Sequence, residues 1–127
     1  MDARVTGMTD AQTAVTRYLD MWNETDAAKR RAVVEEVCTP DVRYVDPLAA
    51  VTGHDGLNGL IGAAQQQFPG LTFTPGGAAD AHHQQARFTW HLGQPGGEPL
   101  AIGFDVVEFA PDGRIATVLG FLDKVPG

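Results

Sequence analysis

Apolar residues in the first part of the chain recur at helical spacing. The segment Thr9-Asp10-Ala11-Gln12 has a capping-box pattern, which predicts that the first helix begins at Thr9. The apolar positions that follow are Ala11, Ala14, Val15, Tyr18, Leu19 and Trp22. Tyr18 and Trp22 are four residues apart, so they share one face of this helix.

Two further helices are predicted before residue 70. The second begins at Asp26 as N-cap and ends before Pro40, because proline disfavours helical geometry in the residue that precedes it. The third begins at His54 or Asp55 and ends at Pro69-Gly70. Its inward positions are Leu57, Leu60, Ile61, Ala64 and Phe68.

After Gly70 the pattern changes from helical spacing to the alternation typical of strands. The predicted strands are Val42 to Asp46 between the second and third helices, then Leu71 to Ala81, Gln84 to Leu92, Leu100 to Phe109 and Arg114 to Leu122. Pro111-Asp112-Gly113 is a tight turn, which makes the strands on either side of it antiparallel. Helices followed by strands predict an α+β domain with the helices on one face of a curved sheet.

Size and charge narrow the possibilities further. A chain of 127 residues that is 43% hydrophobic fits one domain spanning residues 1–127. The formal net charge is -7 and the nine Lys and Arg residues are scattered, so we expect no nucleic-acid partner. With one cysteine, Cys38, and no segment like a signal peptide or membrane span, we expect a cytoplasmic protein with no membrane partner.

Asp105 is the polar residue that fits its surroundings least. It interrupts the apolar segment Leu100 to Val107, where burying a carboxylate is costly unless it is paired, neutralised or functional. Alternation places its side chain beside Gly103, whose small size leaves room for a cavity. Tyr18 and Asp46 are polar groups in comparable positions, which suggests acid and base chemistry in an apolar cavity.

These residues also have ordinary structural interpretations. Asp46 before Pro47 can form a turn, and Tyr18 can be a core residue with a locally satisfied hydroxyl. Aromatic residues at regular spacing are core residues by default. The adjacent His82 and His83 project apart in an extended chain, so we predict no metal site there.

The chain resembles the nuclear transport factor 2-like superfamily, in particular its SnoaL-like and ketosteroid isomerase-like branch. The resemblance is carried by Arg17-Tyr18-Leu19, Trp22 to Asp26, Tyr44-Val45-Asp46-Pro47, Phe104-Asp105 and Gly113-Arg114-Ile115. It implies a cone-shaped α+β fold in which three N-terminal helices pack on a curved, mostly antiparallel sheet. It also implies a homodimer formed through the outer face of the sheet.

The resemblance to ketosteroid isomerase implies roles for three residues. Asp46 corresponds to the carboxylate base, while Tyr18 and a protonated Asp105 correspond to donors to an enolate oxygen, a use of pKa tuning that this family exemplifies. The cavity wall is expected to contain Trp22, Tyr44, Phe88, Trp90, Val107, Val118 and Leu122. Trp22 and Tyr44 place bulk where a steroid would need space.

The sequence therefore predicts a small-molecule isomerase or cyclase that uses an aspartate base on a small apolar carbonyl compound, without cofactor or metal. Two alternatives stay open at this point. One is a binding domain for an apolar ligand without catalysis. The other is an epoxide hydrolase-like enzyme, in which an arginine joins two aspartates; Arg87 is predicted to face outward, which counts against it.

Overall fold

A computed structural model describes the backbone of residues 3–126 and the side chains of residues 11–126. Its three helices are α1 (Ala3–Asn23), α2 (Ala27–Val37) and α3 (Gly53–Gln67). The predicted N-cap of α2 is confirmed, because the Asp26 carboxylate accepts from the Lys29 N–H at 2.9 Å. The predicted start of α1 at Thr9 is wrong, since the helix begins at Ala3 and no proline interrupts the residues between them.

Seven strands form one sheet. They are β1 (Cys38–Val45), β2 (Ala50–Thr52), β3 (Thr72–Pro75), β4 (Asp80–His82), β5 (Gln85–Gly93), β6 (Ala101–Phe109) and β7 (Ile115–Lys124). The strand order is β2-β1-β7-β6-β5-β3, and β4 also pairs with β5. Only the β1 and β7 pair is parallel among these described strands. The predicted α+β fold, with three helices on a curved, mostly antiparallel sheet, is confirmed.

Two strand predictions need correction. β1 begins at Cys38 rather than Val42, and a register shift against β7 between Cys38 and Arg43 accommodates Pro40, which has no N–H to donate. The single strand predicted from Leu71 to Ala81 is two strands, β3 and β4. Gly77 between them has a φ of +139°, and a Cβ added at Gly76 would lie 2.8 Å from His91 Nε2. The short strand β2 was not predicted.

Alternation along β5, β6 and β7 separates the two faces of the sheet as predicted. Phe88, Asp105, Val107 and Val118 are buried beneath the helices. On the opposite face Arg87 is exposed and pairs with Asp80. Helix α1 packs against β3 and β4, while α3 packs against β1 and β2, so the inner face of β6 and β7 lies between the two helices. Within residues 3–126, no helix is long and apolar enough to cross a bilayer.

Arg30 joins the three helices. It is buried, and its guanidinium donates to Asn58 Oδ1 at 2.7 Å, to Gln65 Oε1 at 2.9 Å and to the Glu24 carbonyl at 3.2 Å. Glu24 follows the last turn of α1, where carbonyl groups lack helical partners and favour a cation. Arg30 therefore holds the C-terminal end of α1 against α3, the two helices that flank the inner sheet face.

Replacing Arg30 is predicted to destabilise the fold. The Arg30→Ala variant should lose about 2–4 kcal/mol of unfolding free energy, because three partly buried acceptors lose a buried, charged donor. Urea unfolding at neutral pH measures this loss. The neighbouring Lys29 is exposed, and Lys29→Ala should stay within about 0.5 kcal/mol of the parent. Equal stability of the two variants would contradict the role assigned to Arg30.

Candidate active site

A cavity of about 420 Å³ lies between α1, α3 and the inner face of the sheet. All three predicted acid and base residues, Tyr18, Asp46 and Asp105, lie on its wall. Four of the seven residues predicted to line it also do so: Trp22, Tyr44, Trp90 and Leu122. The other three, Phe88, Val107 and Val118, are packed in the closed core outside the cavity wall.

Helix α1 contributes Tyr18 and Trp22 from consecutive turns. Their ring centroids are 6.4 Å apart, and Phe88 packs edge-on against Tyr18 at 5.7 Å. The end of α1 is fixed to β3, because the Asn23 side-chain amide donates to the Phe73 carbonyl at 2.8 Å and accepts from the Phe73 N–H at 2.7 Å. This pair of hydrogen bonds places the Phe73 ring 5.3 Å from Trp22.

Two glycines leave the space around Asp105. A Cβ added at Gly103 would lie 2.0 Å from Trp90 Cζ2, so the Trp90 indole occupies the volume of the missing side chain. A Cβ added at Gly120 would lie 3.0 Å from Asp105 Oδ1 and 3.2 Å from Asp46 Cβ. The two aspartates, 59 positions apart in numbering, thus approach the same point above Gly120.

Burial determines the protonation of Asp105. Its side chain is almost fully buried, and loss of water raises its pKa to about 7. The nearby Asp46 charge raises the pKa as well, while the Trp90 indole and the Tyr18 hydroxyl oppose the shift. Burial and the charge of Asp105 also raise the pKa of Tyr18, which keeps the phenol protonated.

Asp46 has different surroundings. One carboxylate oxygen accepts from the backbone N–H groups of Leu48 and Ala49, both at 2.8 Å, and the other accepts from the Tyr44 hydroxyl at 2.6 Å. Three donors that face its two oxygens suit an ionised carboxylate. The side chain is half-buried. Asp46 therefore forms the turn that its position before Pro47 suggested and lies on the cavity wall as well.

Several features of the cavity were not predicted. The hydrogen bond from Tyr44 to Asp46 was missed, although a residue two positions away on a strand lies on the same face. Phe73 and Phe68 form part of the wall, and only Phe68 was recognised as inward-facing from the spacing in α3. The exposed side chains of Leu48 and Val125 form the rim. Nothing in the sequence around Val125 signals this position.

The residues described here include no cluster of three or more His, Cys, Asp or Glu side chains able to hold a metal ion. His82 ends β4 and His83 lies in the turn to β5 with a φ of +53°. Their rings are 5.8 Å apart and perpendicular. Neither histidine belongs to the cavity wall.

Comparison with known proteins agrees with this architecture. A model of the SnoaL-like domain matches residues 15–118, a range that contains Tyr18, Asp46 and Asp105. The chain belongs to the SnoaL-like family. Among curated proteins, none matches the chain significantly.

Solved structures of family members superpose on most of the chain. A provisionally named isomerase of the SnoaL-like family from Agrobacterium tumefaciens is 43% identical, with a TM-score of 0.86 over 91% of this chain and 98% of that one. A SnoaL-like protein of unknown function from Burkholderia thailandensis is 16% identical, with a TM-score of 0.71 over 90% and 95%. A provisionally named SnoaL-like polyketide cyclase from Jannaschia is 19% identical, with a TM-score of 0.65 over 87% and 85%.

The buried state of Asp105 predicts a specific dependence of stability on pH. Since its pKa is about 7 in the folded protein and about 4 when unfolded, the folded state holds a proton that the unfolded state releases. The contribution of Asp105 to stability is therefore complete below pH 4 and is lost as the pH rises to 7.

Urea unfolding of the parent and of Asp105→Asn at pH 5 and pH 8 measures this effect. The parent should lose about 2–3 kcal/mol relative to the variant between these pH values, because the amide cannot ionise. The other titrating groups are the same in both proteins and cancel. A difference between the two proteins that does not change with pH would contradict the assignment.

Proposed function

We propose that this SnoaL-like protein is a small-molecule isomerase or cyclase that removes a proton next to a carbonyl group. One observation supports this proposal most strongly: Tyr18, Asp46 and Asp105 line the same mostly apolar cavity. Tyr18 and Asp105 are buried and have raised pKa values, whereas Asp46 is half-buried. Acid and base catalysis requires a group that accepts a proton and groups that donate to the developing oxyanion. A single cavity with these residues supplies both.

Asp46 is the proposed base. Its carboxylate takes the proton from the α-carbon, and the electron pair of the broken C–H bond forms the enolate. In an isomerase the proton returns to another carbon of the conjugated system. In a cyclase the enolate carbon attacks a second carbonyl of the same molecule, the electron pair of that C=O bond moves to its oxygen, and this oxygen takes the proton from Asp46. The Leu48 and Ala49 N–H groups keep the carboxylate oriented, because they fix one oxygen and leave the other shared with Tyr44.

Tyr18 and protonated Asp105 are the proposed donors to the enolate oxygen. Both are buried, and burial raises both pKa values, so that Tyr18 stays protonated and Asp105 is protonated below its pKa of about 7. Donors that are fixed before the reaction and shielded from water stabilise developing charge strongly. The whole step is a proton transfer, so we assign no cofactor to it.

The proposed ligand is a small apolar carbonyl compound. The cavity volume of about 420 Å³ is at the small end for ligand sites, and Trp22, Phe73 and Trp90 provide flat apolar surfaces. The Agrobacterium protein is provisionally named an isomerase and the Jannaschia protein a polyketide cyclase. Both names fit reactions that begin with removal of a proton next to a carbonyl group. Transfer of that class to this chain is part of the proposal.

Two other functions were considered from the sequence. Epoxide hydrolysis of the kind that uses an arginine between two aspartates is disfavoured, because Arg87 lies on the outer sheet face and pairs with Asp80 at 3.1 Å. A binding domain without catalysis would use the same cavity. It differs in one respect, since Asp46 would then contribute no proton transfer.

We also propose a homodimer formed through the outer face of the sheet. Phe104 and Phe121 on neighbouring strands β6 and β7 lie 6.4 Å apart on this face, and Phe121 is 58% exposed. Val106 and Leu119 pair beside them. A patch of apolar side chains on a sheet face, here one exposed and three partly exposed, favours association with a second copy of the same face.

Exchange of the α-protons of 2-tetralone in D₂O tests the proposed chemistry. Asp46→Asn should slow the exchange about 10²–10⁴-fold, because the amide cannot take the proton. Proton NMR measures the rate, and circular dichroism checks that the fold is intact. Asp20→Asn, which alters an exposed aspartate of α1, is the control and should exchange at the parental rate.

The same assay reports the role of Asp105. Because its pKa is about 7, the parent should lose rate as the pH rises above 7, and Asp105→Asn should lack this alkaline decline. Exchange in Asp46→Asn at the parental rate would remove Asp46 as base. If the parent itself exchanges no protons, the binding function becomes the better account.

The dimer proposal predicts a monomer when the outer face is charged. Phe121→Lys should elute as a monomer of 13.5 kDa in size-exclusion chromatography with light scattering, whereas the parent should elute with twice that mass. Gln66→Lys, at an exposed position of α3 away from the outer sheet face, adds the same single positive charge and is the control; it should keep the parental mass. A monomeric parent would overturn the proposal.

A further inference from the structure

Two buried polar atoms lack a hydrogen-bond partner among the described residues: the Tyr18 hydroxyl and the Trp22 Nε1–H. Both belong to the cavity wall, and they lie one turn apart on the same face of α1. A buried donor without a partner costs about 1–3 kcal/mol, so native proteins keep few of them. Two together, in side chains that line the cavity, point to an acceptor that arrives with the ligand.

The mechanism proposed above uses the Tyr18 hydroxyl but leaves the Trp22 indole without a role. Trp22 is only 8% exposed, and aromatic rings surround it: Tyr44 at 5.8 Å, Phe73 at 5.3 Å and Tyr18 at 6.4 Å. These rings fix the orientation of the indole. A donor that is fixed in advance loses little conformational entropy when it binds.

The two donors belong to neighbouring rings, whose centroids are 6.4 Å apart. Trp22 lowers the pKa of Tyr18, in opposition to the rise that burial causes, because its N–H is near the phenol oxygen. The two groups nonetheless make no hydrogen bond with each other. An oxygen placed between them would accept from both.

We propose that the Trp22 Nε1–H donates a hydrogen bond to the ligand oxygen that also accepts from the Tyr18 hydroxyl. This inference rests on the proposed function and narrows its ligand class to apolar ring compounds that bind through an enolate or phenolate oxygen. A ketone oxygen has two lone pairs, whereas an enolate oxygen has three. The ligand oxygen can therefore accept from Tyr18, Asp105 and a third donor at the same time only when it carries negative charge.

The chain contains two tryptophans, Trp22 and Trp90, which makes the inference measurable by NMR. A spectrum of ¹⁵N-labelled protein shows one indole resonance for each, and Trp22→Phe assigns them. Two probes of equal shape are compared: 2-naphthol, which has an oxygen, and 2-methylnaphthalene, which has none. The Trp22 indole proton should move downfield with 2-naphthol and not with 2-methylnaphthalene.

Affinities of the same two probes give a second measurement. The parent should prefer 2-naphthol, and Trp22→Phe should reduce this preference about three- to tenfold, the loss expected for one hydrogen bond. Phe73→Leu is the matched control, because it removes an aromatic wall residue without a polar atom. It should weaken both probes alike and leave the preference unchanged.

Tyr18→Phe separates a direct contact from an indirect one. If Trp22 contacts the ligand, 2-naphthol still shifts the Trp22 resonance in this variant; if Trp22 only donates to the Tyr18 oxygen, the shift disappears and the inference fails. An unchanged preference in Trp22→Phe also overturns it. Proton exchange from 2-tetralone that still depends on Asp46 would show that the proposed function survives such a failure. If neither probe binds the parent, the inference falls.

Discussion

Burial of Asp105 is the constraint on which the cavity depends. An ionised carboxylate in the middle of an apolar sheet would require a cation or several donors, and the two groups that lower the pKa of Asp105, the Trp90 indole and the Tyr18 hydroxyl, do not offset its loss of water. Loss of water therefore raises the pKa of Asp105 to about 7. The side chain becomes a carboxylic acid that can donate, while a second aspartate a short distance away remains in contact with solvent and backbone donors.

The two aspartates have different surroundings because they occupy different positions in the fold. Asp105 lies in the central strand β6 with neighbouring strands on both sides and helices above. Asp46 follows the end of β1, where the chain turns and exposes N–H groups that no strand partner uses. The same residue type thus has a raised pKa in one place and accepts three hydrogen bonds in the other, because hydration and hydrogen bonding differ.

Glycines make room for this arrangement. Gly120 on β7 lets both aspartates approach one point, and Gly103 on β6 lets the Trp90 ring lie flat on the sheet. Any side chain at either position would occupy the volume that these groups use. Arg30 has the complementary task, since it holds α1 to α3 and so keeps Tyr18 and Trp22 over the sheet. The cavity lies between the glycine-containing face of the sheet and the two helices that Arg30 joins.

The sequence by itself determined the helices and most strands, the Asp26 cap, the face of the sheet that holds Asp105 and the family resemblance. Local chemistry suffices for these features, because periodicity, turn residues and a misplaced carboxylate are visible over a few residues. It also correctly separated the outward Arg87 from the inward Asp105, since alternation fixes which side of a sheet a side chain faces.

Tertiary structure alone decided how deep each inward residue lies. Phe88, Val107 and Val118 share the inner face with Trp90 and Leu122, yet the first three fill the core and the other two line the cavity. That difference depends on where α1 and α3 cross the sheet, which no local pattern encodes. The approach of Asp46 to Asp105 likewise required the pairing of β1 with β7 and of β7 with β6, contacts between segments far apart in the chain.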